Sequence, residues 1–287
     1  RAPIDLKTTR YATFGCGGYT RGLLREFPFV RKVYALDRDP LAFSIAQQLA
    51  KQQSNDCITP LLGKFSQLSQ LIDKKVDGVL FDVGLSSMQI ADSNRGFSFA
   101  SKGQLDMRMS QGEDELSAFE VINQLPESTL CNIFTKYGDE DYSKEVASAI
   151  SNYRTQHGII KTPNQLCGII INSLPIKRLQ IDKQKGVNPA RKIFQAIRIH
   201  VNQELEELEA GLVQAHSLLA RDGLLAVVTF HSLECQIVKR FFDKYKHCYW
   251  SPGRMFNPIL PSEQEKLVNS RSKSGRLRFA YRNSADN

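Results

Sequence analysis

The stretch from Val76 to Gln89, VDGVLFDVGLSSMQ, constrains the fold more than any other part of the chain. Val76 to Phe81 is a short apolar run of strand character. It ends in a carboxylate, Asp82, and a tight turn follows through Gly84, Ser86 and Ser87. An earlier run, Val33 to Leu36, ends in the same way at Asp37, with Asp39-Pro40 opening a helix over residues 42–50. Apolar strands ending in acids and separated by helical segments specify an α/β fold. In an open sheet of this kind the carboxyl ends of the strands face the ligand crevice. A chain of 287 residues with 41% hydrophobic content can bury a full core for such a sheet.

Ahead of these runs lies RYATFGCGGYTRG, residues 10–22, which reads as a strand, a glycine turn and the start of a helix. Gly15, Gly17 and Gly18 let the backbone approach a ligand closely, and the helix N-terminus behind them favours polar or anionic groups. Thr20 stands where the third glycine of a dinucleotide fingerprint would fall, which speaks against a nicotinamide cofactor. Asp37, 20 residues after Gly17, is placed either to accept hydrogen bonds from the ribose hydroxyls of an adenosine-containing cofactor or to serve as an acid at a helix N-terminus. A third strand, Ile58 to Leu62, leads into Gly63-Lys64-Phe65-Ser66, where Phe65 can flank an adenine ring or pack in the core.

From about Asp106 to Pro189 the pattern is helical: 116–125, 127–137, 142–153 and 162–174. We read residues 106–189 as a helical domain inserted into an α/β domain made of 1–105 and 190–287. Arg191 to Leu219 then predicts one long amphipathic helix, with Ile193, Ile197, Val201, Leu205, Leu208, Leu212 and Leu219 along one stripe and Arg221-Asp222-Gly223 closing it. Leu224 to Phe230 is a further buried strand, and His231 follows at its carboxyl end.

The net charge of +8 is concentrated in two segments. Between Ile176 and Arg198 stand Lys177, Arg178, Lys183, Lys185, Arg191, Lys192 and Arg198 against Asp182. From Ser251 onward stand Arg254, Lys266, Arg271, Lys273, Arg276, Arg278 and Arg282 against Glu263, Glu265 and Asp286. Such segments suggest a polyanionic partner or, alternatively, solvated basic faces. The six scattered cysteines form no C-x-x-C pair, and the histidines show no metal spacing, so we expect a reduced protein without a metal site. No run is apolar enough to span a bilayer. The chain begins at Arg1, and we expect a native N-terminus, with any targeting peptide, to precede it.

Taken in order, ATFGCGG, ALDRDP, GKFS, FDVGLSSMQ, RGFSF, LDMRM, KYGDED, FQAIRIHVNQELEELE and FHSLECQIVKRF closely resemble a family of S-adenosylmethionine-dependent methyltransferases. These enzymes modify N4 of a cytidine in small-subunit ribosomal RNA, and the family includes bacterial members and mitochondrial relatives. The resemblance runs from about Ala12 to Phe242, with a shorter echo in NSRSKSGRLR. It implies a Rossmann-like methyltransferase domain interrupted by a helical domain that helps to bind RNA. The cofactor contacts it implies are Gly17, Gly18, Tyr19, Asp37, Phe65, Asp82 and Gln89, with Gly15 in the same loop. On this reading Asp82, or the backbone carbonyls just after it, accepts the N4 amine, Ser86, Ser87 and His231 orient the base, and Phe97, Phe99 or Phe230 stack on it, local packing of the RGFSF turn being the alternative for Phe97 and Phe99.

The chain departs from the family at Tyr11, usually Asp; at Tyr19, usually His; and at Cys235, usually an acid. The family's H-x-P-V segment would lie before Arg1. Tyr11 and Tyr19 motivate a second reading, a non-catalytic ribosome-assembly factor that binds rRNA. The SSMQ turn and the basic charge favour a mitochondrial matrix protein over a bacterial cytoplasmic one. A homodimer is compatible with either.

Overall fold

A computed structural model describes residues 9–53, 56–112, 115–251 and 257–283. The chain divides into two compact units, residues 1–85 with 205–287, and residues 86–204. The sequence reading placed these boundaries at 105/106 and 189/190, so the helical unit takes in about 20 more residues before its first predicted helix and all of the helix that follows Pro189.

The first unit is an alternating α/β structure. β1 (Thr9–Thr13), α1 (Gly18–Glu26), β2 (Lys32–Asp37), α2 (Pro40–Gln52), β3 (Ile58–Leu62), a short α3 (Leu68–Leu71) and β4 (Val76–Asp82) come first. Pro40 lies in the first turn of α2, and Asp39 caps that helix by accepting the Leu41 N–H at 3.0 Å.

The second unit interrupts it with α4 (Ser87–Ala91), α5 (Ala118–Gln124), α6 (Glu127–Gly138), α7 (Ser143–His157), α8 (Pro163–Ser173), α9 (Ile176–Gln184) and α10 (Arg191–Asn202). Its core includes Ile122, Leu130, Phe134, Val146, Ile150, Leu166, Ile170, Ile193 and Ile197, all fully buried. α6 meets α10 so closely that a Cβ on Gly138 would lie 2.8 Å from the Lys192 carbonyl oxygen, which only glycine permits.

α11 (Glu204–Leu218), β5 (Leu219–Thr229), α12 (Ser232–Lys244), β6 (Tyr249–Trp250), α13 (Glu263–Val268) and β7 (Arg276–Arg282) complete the chain. The single helix expected over 191–219 is two helices. Gln203 adopts a left-handed conformation, φ 51°, and its N–H caps α10 on the Ile199 and His200 carbonyls. The apolar stripe runs through this break because helical periodicity does not register one left-handed residue. Arg221-Asp222-Gly223 does not close a helix. It lies inside β5, where Asp222 has φ 60° and the pairing with β4 slips between Val76 and Gly78.

The sheet order is β3-β2-β1-β4-β5-β7-β6. β1 to β5 are mutually parallel, while β7 runs antiparallel to both β5 and β6. This is a Rossmann-like sheet with an antiparallel edge. From β1 the chain winds outward to β2 and β3, then resumes on the other side at β4, so the topological switch point lies between β1 and β4. Val79, Phe81, Leu225 and Val227 pack with Leu208 and Leu212 of α11 and Ile237, Val238, Phe241 and Phe242 of α12 in one apolar cluster. Among the described residues no helix is long and apolar enough to cross a membrane.

Candidate active site

The switch point brings two predicted elements together, the turn after β1 and the end of β4. Gly15 (φ 51°) and Gly17 (φ 78°) make the turn, and Gly17 caps α1. A Cβ on Gly17 would meet the Phe14 ring at 2.8 Å, whereas one on Gly18 would meet nothing within 4 Å. Gly18 is therefore the open side of the loop. Asp37 ties this loop to β2, accepting the Gly15 N–H on Oδ2 at 2.8 Å and the Asp39 N–H on Oδ1 at 2.9 Å. Burial raises the Asp37 pKa against the lowering effect of these hydrogen bonds. Each oxygen retains a second lone pair for a further donor.

Asp82 closes β4, and its N–H donates to Thr13 Oγ1 of β1 at 2.8 Å. Its Oδ1 is buried without a hydrogen-bond partner among the described residues. Burial and then the charge of Glu234 push the carboxyl up to about 7. Tyr19, 41% exposed at the head of α1, has its phenol pKa raised by burial, then by the charges of Asp82 and Glu265. Tyr11 stands in β1, and its side chain lies outside the described residues.

His231 caps α12. Its Nδ1 accepts the Glu234 N–H at 3.5 Å, and its Nε2 lies 2.9 Å from Glu234 Oε1. Glu234 is fully buried, and its Oε2 accepts the Phe230 N–H at 2.6 Å and the His231 N–H at 3.2 Å. The imidazole is thus folded onto the first turn of α12, and the acid that fixes it escaped the sequence reading. The signal was present as the i, i+3 spacing of a capping box, with His in place of Ser or Thr.

Phe65 stands edge-to-face to Phe81 with centroids 5.0 Å apart, and Gly211 of α11 approaches so closely that a Cβ there would lie 2.5 Å from the Phe65 Cβ. Its ring is partly buried against the apolar cluster. The next residue, Ser66, hydrogen-bonds Glu207 through both its N–H and its hydroxyl at 3.2 Å.

In the helical unit, Ser86 and Gln89 hold each other. Ser86 Oγ accepts the Gln89 N–H at 3.2 Å, and Gln89 Oε1 accepts the Ser86 N–H at 2.9 Å, a capping box on α4. Ser87 is exposed in the first turn of that helix. Phe99 packs edge-to-face on Phe194 at 4.8 Å, and Phe97 is buried, as local packing of the RGFSF turn requires. Phe230 instead lies in the α/β unit, where its ring adjoins Gly84 and Gly275.

Several cations of the two basic segments are engaged within their own units. Arg178 pairs with Glu140 at 3.0 Å and Asp182 at 2.7 Å, Arg198 with Glu204 at 2.6 Å, and Lys192 with the Asp139 carbonyl. Arg282 donates to the carbonyls of His216 and Leu219, and Lys266 pairs with Glu263. Arg254 lies outside the described residues. Charge was legible in the sequence, but the pairing of Arg178 with Glu140, 38 residues away, was not.

Residues 9–283 match the MraW methylase family. The chain is 40% identical to ribosomal RNA small subunit methyltransferase H of Ehrlichia canis, over 96% of this chain and 93% of that protein. It is 44% identical to the 12S rRNA N(4)-cytidine methyltransferase METTL15 of Mus musculus, over 80% of this chain and 58% of the mouse protein.

The chain belongs to the MraW methylase family.

As a MraW methylase it is a methyltransferase whose methyl donor is S-adenosylmethionine. The site fits this group. The donor's ribose hydroxyls and ammonium are hydrogen-bond donors, and the α/β unit supplies buried acceptors at the switch point in Asp37 and the unpartnered Asp82 Oδ1. The open face of Gly18 leaves room for close approach beside them. No third glycine is needed, because there is no pyrophosphate to pass.

Proposed function

We propose that this MraW methylase transfers a methyl group to N4 of a cytidine in small-subunit ribosomal RNA. The observation that carries this reading is the buried, unpartnered Oδ1 of Asp82 at the switch point. S-adenosylmethionine supplies an electrophilic methyl on sulfonium sulfur. The exocyclic N4 is a weak nucleophile because its lone pair is delocalised into the ring. An acceptor such as Asp82 Oδ1 strengthens it by taking a hydrogen bond from the amine. As the N–C bond forms and the C–S bond breaks, N4 becomes cationic and must release a proton. A carboxylate with a pKa of about 7 is matched to receive it at neutral pH. Exclusion of water and fixed orientation supply much of the remaining acceleration.

Asp37 holds the glycine loop and the cofactor ribose together, Gly17, Gly18 and Tyr19 border the methionine portion, and Phe65 supports the adenine side. Gln89 is assigned to the methionine end of the cofactor and Ser86 and Ser87 to the nucleotide on the family motifs, and His231 fixes the end of β5 through Glu234. The helical unit serves rRNA recognition. Identity with enzymes named for small-subunit and 12S rRNA supports this substrate.

We place the protein in the mitochondrial matrix, on the strength of its basic charge and its 44% identity to a 12S rRNA enzyme; the alternative is the bacterial cytoplasm, since the chain is also 40% identical to a bacterial protein. Transfer of tritiated methyl to small-subunit rRNA, followed by nucleoside analysis, tests the reading. N4-methylcytidine formed by the parent chain and lost in Asp82→Ala supports it. If the parent binds rRNA yet forms no N4-methylcytidine, the enzyme reading fails and the assembly-factor reading replaces it. Sedimentation of the same preparation decides whether the working form is a homodimer.

A further inference from the structure

Among the described residues two arginines are almost wholly buried, Arg95 and Arg278. They differ in what they meet. Arg95 donates through Nη2 to the Arg108 and Met109 carbonyls at 3.0 and 2.8 Å. Arg278 is 8% exposed, its Nε and Nη1 are buried without a hydrogen-bond partner, and it forms no ion pair among the described residues. A guanidinium always carries its charge, so burial with no counter-charge is costly and is tolerated where an anion completes the site.

The position of Arg278 indicates which anion. β7 pairs with β5 so that Arg278 faces Val227 and Arg276 faces Thr229, the last residue of β5 before Phe230 and His231. The loop leading into β7 reaches the same place, since a Cβ on Gly275 would lie 3.6 Å from the Phe230 ring. On its other side Phe230 adjoins Gly84, in the turn that follows Asp82. Lys273 and Arg276 are exposed five and two residues before Arg278, Arg276 donating through Nη1 to the Ser274 carbonyl at 3.3 Å, and the sequence holds no acid between Lys266 and Asp286. A buried fork-shaped donor continuing into exposed cations suits a chain of phosphodiesters: one phosphate meets the fork while its neighbours meet the exposed charges.

We propose that Arg278, with Arg276 and Lys273, forms a notch that holds an RNA backbone phosphate beside the crevice entered by the target nucleotide. This rests on the rRNA reading above and narrows it to one anchor. An extruded base needs its flanking backbone fixed, and a phosphate gripped at the end of β5 does so.

The test is a fluorescence-anisotropy titration of a small-subunit rRNA fragment with the full chain at several salt concentrations, without methyl donor. Arg278→Met keeps the volume of the side chain and removes the charge. The expected result is a 10- to 100-fold loss of RNA affinity and a fall of about 1 in the slope of log K against log salt. Calorimetric affinity for S-adenosylmethionine and the melting temperature should not fall. An unchanged affinity and slope with a lower melting temperature would make Arg278 structural and overturn the proposal. Arg276→Gln with Lys273→Gln alters exposed side chains alone and carries the test if Arg278→Met does not fold. An unaltered slope in that double variant also overturns it. A parent chain that does not bind the fragment at all overturns the rRNA reading itself, whatever the variants do.

Discussion

Asp82 at the end of β4 and Glu234 in the first turn of α12 are two acids at the carboxyl ends of neighbouring strands, and the charge of Glu234 adds to burial in raising the Asp82 carboxyl to about 7. Glu234 is itself held by the Phe230 and His231 N–H groups. One acid is thereby fixed as an anchor, and the other is left with an unpartnered oxygen for chemistry.

Removing the carboxylate separates activity from stability. A folded-state pKa raised from 3.8 to about 7 means that the folded chain binds the proton more tightly than the unfolded one, so stability falls as pH rises through this window. The cost at pH 8 is at most about 4 kcal/mol, from three units at 1.36 kcal/mol each. Asp82→Asn should therefore raise the melting temperature at pH 8, change it little at pH 4, and lower methyl transfer roughly 10²- to 10⁴-fold. Calorimetric melting at the two pH values, alongside the tritium assay, checks both.

Glu234→Gln retains an acceptor for the Phe230 and His231 N–H groups but removes the charge. The pH profile of kcat/KM should rise to its plateau at lower pH than in the parent, because the like charge that lifts the Asp82 pKa is gone. The cap should weaken by about 1 kcal/mol. An unmoved midpoint would mean that burial alone sets the Asp82 pKa.

The two central glycines of the first loop should respond differently to alanine. Gly17→Ala requires a left-handed alanine and a Cβ 2.8 Å from Phe14, and should cost about 1 to 3 kcal/mol in urea unfolding. Gly18→Ala meets no atom within 4 Å and should leave stability unchanged while weakening S-adenosylmethionine binding in a titration.

In the helical unit, Arg178→Met strands Glu140, whose side chain is fully buried, and Asp182 with it. A loss of about 3 to 5 kcal/mol is expected from broken pairing of this kind. The slope of rRNA binding against salt should not change, since the guanidinium is already occupied. A reduced slope would show that it also reaches phosphate.

The parallel strands, their acid ends and the glycine turn were legible because each is a local statement: a few apolar residues, then an acid, then glycine. The unlocated elements were of another kind. β7 reads from its sequence as a basic tail, RLRFAYR, yet it is a sheet strand whose alternate residues, Arg278 and Ala280, are buried against β5. The break at Gln203 carries neither Gly nor Pro. The family motifs named Ser86, Gln89 and His231 as site residues, and the structure shows each also closing a helix start, a geometry that motif order does not describe.

The order of residues alone therefore determined where strands end and which of them end in acids, because burial periods of two and 3.6 residues are properties of neighbours along the chain. The tertiary structure alone decided which charges are spent and which are left. Arg178 and Arg278 are equally cationic in sequence. Folding brings Arg178 the buried Glu140 from 38 residues away, whereas Arg278 is enclosed without a carboxylate among the described residues. Pairing over long separations depends on which surfaces the packed sheet and helices bring within 3 Å. That is set by the packing of the whole unit, and no local pattern encodes it.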